Sequence, residues 1–205
     1  MDDSLKTSEA RLWKLIEQRC QPGADVDELD RRIWERFGED WAVLFTDLSG
    51  CSRRVAEFGI IHFLQVIHEQ RKLLLPLVEK HDGLLVKQEA DSFLITFRKI
   101  GAAVDCALEM QRACGQLNQR RTPAEQVLLC IGIGCGRLLR IGDHDVWGRE
   151  VNSASRLGED VAGSGEILLT SAARRALAPR FENELEALSK SPFDDEPCYR
   201  LASSG

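Results

Sequence analysis

Trp41-Ala42-Val43-Leu44-Phe45-Thr46-Asp47-Leu48-Ser49-Gly50 places a continuous apolar run ahead of a carboxylate and then a turn. A short apolar run bounded by turn residues is the pattern of a strand buried on both faces. The segment therefore reads as a core strand that delivers Asp47 to its end. A carboxylate is out of place in a packed core, so Asp47 marks where that strand reaches an opening.

Upstream, Leu12, Trp13, Leu15 and Ile16 fall at helical spacing over residues 8–20, after a Ser8 cap and before Gln21-Pro22-Gly23. Val26, Leu29, Ile33, Trp34 and Phe37 form a second helical stripe that Gly38 stops. Residues 1–40 are thus expected to be a helical extension, and 41–205 the main domain. Downstream, residues 52–82 read as one helix, with Pro76 as a kink near its end and Gly83 as its stop. Leu84 to Lys87 and Ser92 to Phe97 read as strands joined by a tight Gln88-Glu89-Ala90-Asp91 turn. Residues 101–119 are helical, with Ala103, Ala107, Met110 and Cys114 on one face, and Thr122-Pro123 marks a loop. A strand follows over Val127 to Ile133, then turns at Gly142 and Gly148, a helix over 150–161, a strand at Ile167 to Leu169 and a short helix over 171–178. Gly132-Ile133-Gly134-Cys135-Gly136 is not followed by a helix, so it reads as strand and turn and not as a dinucleotide loop. Helices grouped between hairpins indicate α+β or α/β, with a mostly antiparallel sheet.

At 205 residues with 43% hydrophobic content, the chain can bury one core with an extension. Its net charge of −6 argues against a general nucleic-acid or anionic-membrane surface. The seven cysteines form no CxxC pair and have no histidine partners at zinc spacing, which suits reduced thiols in a cytoplasmic protein. The acidic start Met1-Asp2-Asp3-Ser4 is unlike a signal peptide, and no apolar run reaches membrane-spanning length.

Three groups of residues carry chemical possibilities. Asp47 and Asp91 each sit in a turn at a strand boundary, where they are either solvated acids or a pair able to hold Mg²⁺ or Mn²⁺ through oxygen. Gly50-Cys51-Ser52 ahead of a helix is either an anion-receiving loop or an ordinary serine N-cap. Asn152 and Arg156 lie one helical turn apart, on a face that is either solvated or presents an amide and a guanidinium to one ligand.

Phe45-Thr46-Asp47-Leu48-Ser49-Gly50, Lys87-Gln88-Glu89-Ala90-Asp91 and Asp145-Val146-Trp147-Gly148-Arg149-Glu150-Val151-Asn152-Ser153-Ala154-Ser155-Arg156, in this order, closely resemble the catalytic domain of class III nucleotidyl cyclases. The resemblance covers roughly residues 41 to 178. It implies an α+β, ferredoxin-like cyclase homology domain with helices flanking a mostly antiparallel sheet. It also implies that Asp47 and Asp91, with the Leu48 carbonyl, hold two Mg²⁺ or Mn²⁺ ions, that Lys87 and Asp145 read the base, that Asn152 orients the ribose and that Arg156 meets phosphate charge. The implied reaction is attack of the ribose 3′-hydroxyl on the α-phosphate with loss of pyrophosphate, at a site shared by two chains of a homodimer. A lysine donor beside an aspartate acceptor matches adenine and mismatches guanine, which points to ATP. A guanylate cyclase and a catalytically silent nucleotide-binding module are the alternatives.

The chain departs from the family pattern in four places. Cys51 replaces an aromatic residue, and Ala90 stands where glycine is common. Residues 137–144 are short for the hairpin arm that reaches over a partner subunit. The phosphate-binding lysine expected near the C-terminus has Lys190 as its nearest match.

Overall fold

The computed structural model describes residues 3–177, 179–189, 191–193 and 196–202. Its centre is β1 (Gly38–Leu48), which begins ahead of the apolar run because Gly38 already pairs with Leu139. On one side β1 pairs antiparallel with β3 (Ser92–Phe97), which pairs with β2 (Leu84–Glu89). On the other side it pairs along its whole length with β4 (Leu129–Ile141). β4 turns at Gly142 into β5 (Asp145–Trp147) and pairs in parallel with β6 (Ile167–Thr170). β8 (Cys198–Leu201) and β7 (Leu185–Ala187) complete the order β2-β3-β1-β4-β6-β8-β7. All pairings but β4 with β6 are antiparallel.

The period-two pleat of β1 sorts its side chains onto two faces. Ala42, Leu44 and Leu48 face α4 (Ile60–Lys80) and α5 (Ile100–Asn118), packing with Phe63, Leu74, Val104 and Met110. Trp41, Val43 and Phe45 face α6 (Arg149–Arg156), packing with Val151 and Ala154. Asp47 shares this second parity, so the strand that builds the core also aims the carboxylate toward α6.

On β4, Gly132, Gly134 and Gly136 lie opposite Phe45, Val43 and Trp41 and form a trough for α6. A Cβ on Gly132 would stand 2.0 Å from the Ala154 carbonyl oxygen, and one on Gly134 2.5 Å from that of Glu150. The glycine run is therefore strand throughout, and it allows a helix to approach the sheet closely.

Several elements differ from the sequence reading. The expected helix over 52–82 is two helices, α3 (Cys51–Phe58) and α4, broken at Gly59, whose φ of +84° a side chain would resist. Pro76 lies within α4, which continues to Lys80. α3 starts at Cys51 with Gly50 at the cap position, so Ser52 is inside the helix and not its cap. The helix expected over 150–161 is α6 followed by a π-helical turn, Leu157–Val161. α7 covers Ser171–Ala176.

The N-terminal helices α1 (Asp3–Arg19) and α2 (Val26–Phe37) cross the far end of β4, where Leu12, Leu15, Leu29, Ile33 and Phe37 bury Ile141. Of the expected α2 stripe, Leu29, Ile33 and Phe37 are buried while Val26 is exposed. The short 137–144 segment is a hairpin that pairs Leu139 with Trp147 and Ile141 with Asp145. None of the seven cysteines is in a disulfide. No described helix is long and apolar enough to cross a membrane.

Candidate active site

Asp47 and Asp91 come together at the C-terminal end of β1. Ser92, the first residue of β3, donates its hydroxyl to Asp47 Oδ1 at 2.9 Å. Asp91 sits in the β2–β3 turn, where Ala90 takes a left-handed φ of +49°, strained for a residue with a Cβ. That turn is anchored from beneath, because the fully buried Gln70 of α4 donates Nε2 to the Asp91 carbonyl at 2.8 Å.

Asp91 is only 7% exposed, and its Oδ2 is buried without a hydrogen-bond partner. Burial pushes the Asp91 carboxyl above the usual carboxylate range, partly offset by its own backbone N–H, the Cys51 thiol and the Leu48 N–H. Burial also raises Asp47, with the Ser92 hydroxyl opposing and the Asp91 charge adding to the rise. Cys51 bonds to Asp91, its thiol pushed up to about 11 by burial and by both carboxylates. Two desolvated carboxylates, one with an orphaned oxygen, suit a divalent cation that would relieve both burial and repulsion. Among the described residues no cluster of three or more His, Cys, Asp or Glu makes a ready cage. That fits a hard cation held by one or two carboxylates and completed by phosphate oxygens and water.

These groups open into a cleft of about 710 Å³ that Lys87, Asp145, Trp147, Asn152 and Glu159 also line. A shift of register between Leu85 and Lys87 places Lys87 opposite Leu94. Its Nζ meets Asp145 Oδ1 at 2.8 Å, and the same oxygen accepts the Val146 N–H at 2.9 Å. A larger cavity of about 900 Å³ lies at the other end of β1, but there Trp41 is already stacked between Arg98 and Arg140, 3.9 and 4.3 Å from its ring. The two desolvated carboxylates and the Lys87–Asp145 pair converge on the smaller cleft instead.

The sequence-derived residues divide accordingly. Asp47, Asp91, Lys87, Asp145 and Asn152 line one cleft of one chain, while Leu48 is buried beside the carboxylates and paired with Leu129. Arg156 is exposed and stands off the cleft, its guanidinium 6.0 Å above the Phe193 ring. Ser155 and Glu159 line the cleft on either side of it along the chain, so Arg156 is turned off the cleft by the rotation of about 40° that a step of four helical residues brings, and not by its height. Lys190 lies outside the described residues. Ser92, Gln70 and Glu159 were not singled out from the sequence. The first two act on partners distant along the chain, and Glu159 reaches the cleft only through the π-helical turn.

Comparison with known proteins agrees with this geometry. Residues 35–194 match the family model described as adenylate and guanylate cyclase catalytic domain. The chain is 28% identical over 167 residues to the serine/threonine-protein kinase pkn2 of Myxococcus xanthus, covering 82% of this chain and 19% of that protein. It is 28% identical over 129 residues to putative adenylate cyclase 3 of Rhizobium meliloti (strain 1021), covering 63% of this chain and 22% of that protein. The chain thus spans about a fifth of the length of the curated relatives it matches. An adenylate/guanylate cyclase/hydrolase from Silicibacter pomeroyi superposes with a TM-score of 0.71 at 25% identity, covering 80% of this chain and 97% of that one. With the family match running from the end of α2 past the last site residue of α6, the chain belongs to the adenylate and guanylate cyclase catalytic domain family.

Proposed function

We propose that the chain is an adenylate cyclase, converting ATP into 3′,5′-cyclic AMP and pyrophosphate at a site shared between two copies in a homodimer. The observation that carries this reading is the Lys87–Asp145 pair in the same cleft as Asp47 and Asp91. Asp145 Oδ1 is taken up by Lys87 and Val146, leaving its other oxygen to accept from the 6-amino group of adenine, while Lys87 retains donors for N1. Guanine presents a carbonyl and an N–H at those positions and meets a like group at each. Mispaired buried polar groups are a strong basis for rejecting a substrate.

Asp47, Asp91 and the Leu48 carbonyl would hold two Mg²⁺ or Mn²⁺ ions, which supply Lewis-acid charge at the 3′-hydroxyl and the α-phosphate. Asn152 orients the ribose from the cleft wall, and Lys190 is assigned to the phosphate tail. Arg156 stands off the cleft of its own chain, which favours its serving the cleft of a second copy. Residues 1–40 are read as an extension to a catalytic domain of 41–205, with the last three of them, Gly38 to Asp40, entering β1. Seven cysteines outside any disulfide favour a cytoplasmic setting.

The direct test measures cyclic AMP and cyclic GMP made by the purified chain with Mn²⁺ or Mg²⁺ over a range of protein concentrations. Activity with ATP that rises faster than concentration is expected. Preferred use of GTP would refute the base assignment, and ATP binding without turnover at every concentration would make the chain a silent nucleotide-binding module. Mixing Asp47→Ala with Arg156→Ala chains should restore about a quarter of wild-type activity, since about half the dimers are hybrids with one intact site. No recovery in verified mixed dimers would refute the shared site.

A further inference from the structure

We propose that Glu150 is a positioning residue of this site, its carboxylate fixing the first turn of α6 on the sheet and so setting where Asn152 and Arg156 stand. The inference rests on the cyclase reading for the roles of those two residues; its own support is a separate set of contacts.

α6 needs an external anchor. It starts at Gly148 with no side-chain cap, although the first N–H groups of a helix have no partner within it. The sheet has a matching defect beside it. Ile131 donates its N–H to the Glu166 carbonyl at 3.1 Å, and by strand alternation the N–H groups of Ile133 and Cys135 point the same way. The parallel pairing with β6 ends at Ile133 and Leu169, so the Cys135 N–H emerges beyond the last paired rung.

Glu150 joins the two loose ends. Its Oε2 accepts the Cys135 N–H at 3.2 Å and the Thr170 hydroxyl at 2.6 Å. Thr170 Oγ1 in turn accepts the Ala173 N–H at 3.1 Å, capping α7, so one carboxylate ties α6 to β4, to the end of β6 and to the start of α7. Gly134 and Gly136 make the space: a Cβ on Gly136 would stand 3.1 Å from Glu150 Cγ. An acid in the first turn of a helix is also favoured by the helix dipole. Asn152 and Arg156 follow within the next two turns, so a shift of the anchor reaches both of them.

The test compares Glu150→Ala, Thr170→Val and Thr170→Ser in the full chain, with Arg156→Ala alongside. Glu150→Ala and Thr170→Val are each expected to lower kcat by about ten-fold or more, as small misplacements of catalytic groups do, with KM changed less than about three-fold. Thr170→Ser, which keeps the hydroxyl, should stay within about two-fold of wild type. The double variant should be little worse than Glu150→Ala alone, because both break one linkage. Amide exchange in 149–156 should quicken in Glu150→Ala and Thr170→Val but not in Thr170→Ser. Folded variants with wild-type kcat and wild-type exchange in α6 would overturn the proposal. If Arg156→Ala kept full activity, the reading of the site would fail instead, and amide exchange would still judge the role of Glu150. If Glu150→Ala does not fold, the Thr170 pair decides.

Discussion

Replacing Asp91 with asparagine should stabilise the metal-free protein while abolishing its activity. The wild-type carboxyl is nearly buried, carries an unpartnered Oδ2 and faces the charge of Asp47. Because burial raises its pKa in the folded state, the sign of the linkage is fixed: the carboxyl's contribution to stability is fully present below its unfolded pKa of about 3.9 and is lost as pH rises through the folded value. At neutral pH the ionised group therefore burdens the fold. An unsatisfied buried polar group costs about 1–3 kcal/mol, and the bonds Asp91 receives from Cys51 and Leu48 place the gain in the lower half of that range. At about 2–4 °C per kcal/mol for a chain of this length, Asp91→Asn should raise Tm by about 2–8 °C at pH 7.5 in EDTA. The difference should shrink as pH falls through the raised folded value toward the unfolded one, where the wild-type group takes up its proton. Thermal scans of both proteins across pH, with and without Mn²⁺, read the effect, and Mn²⁺ should stabilise the wild type more than the variant. A lower Tm for the variant at pH 7.5, or a difference that persists unchanged at pH 4, would refute the account of a charge held at a stability cost.

Gly134→Ala places a methyl 2.5 Å from a backbone oxygen of α6, whereas Gly136→Ala meets only a side-chain atom, Glu150 Cγ, at 3.1 Å. The first should cost about 1–3 kcal/mol or more in a denaturant titration and the second clearly less, and equal costs would contradict the trough geometry. Gln70→Leu removes the anchor of the Asp91 carbonyl together with a side-chain oxygen, Oε1, that has no partner of its own. Stability should therefore change by less than about 1 kcal/mol while kcat falls, and wild-type turnover would show that the anchor is idle. Lys87→Glu combined with Asp145→Cys should shift kcat/KM from ATP toward GTP by about ten-fold or more; an unchanged ratio from the product assay would remove these residues from base reading.

The parts of the fold legible in the sequence are those where burial and local pattern coincide. Trp41 to Phe45 reads as a buried strand because both of its faces are covered. The break at Gly59 was hidden because Ile60 and Ile61 extend the apolar pattern, yet they are 55% and 76% exposed. The sequence predicts a strand only from Val127 to Ile133 because the glycines of β4 look like a turn, and only the presence of α6 gives them a reason to lie within a strand. β5, β7 and β8 are three or four residues long and exist through pairing, which local periodicity does not register. For the site, the motif residues gave the groups but not their disposition. That Arg156 stands off the cleft depends on how α6 is rotated on the sheet, which is set by β4 glycines and a carboxylate bond spanning 15 residues.

The polar groups of the cleft are held more by what lies behind them than by one another. Asp47 is fixed by Ser92, the Asp91 turn by Gln70, and α6 by the glycine trough and Glu150. Lys87 and Asp145 brace each other directly. A left-handed Ala90 and two neighbouring desolvated carboxylates are each unfavourable locally, and such features persist only where the surroundings over-determine them. The surroundings here do so: β1 is locked along its whole length to β4, and Gln70 reaches the turn from a helix buried against the sheet. The two carboxylates can thus be kept close at a distance set by the sheet and not by a bound ion. On the two-metal reading, the free energy of binding a cation would then go into relieving repulsion instead of ordering the chain.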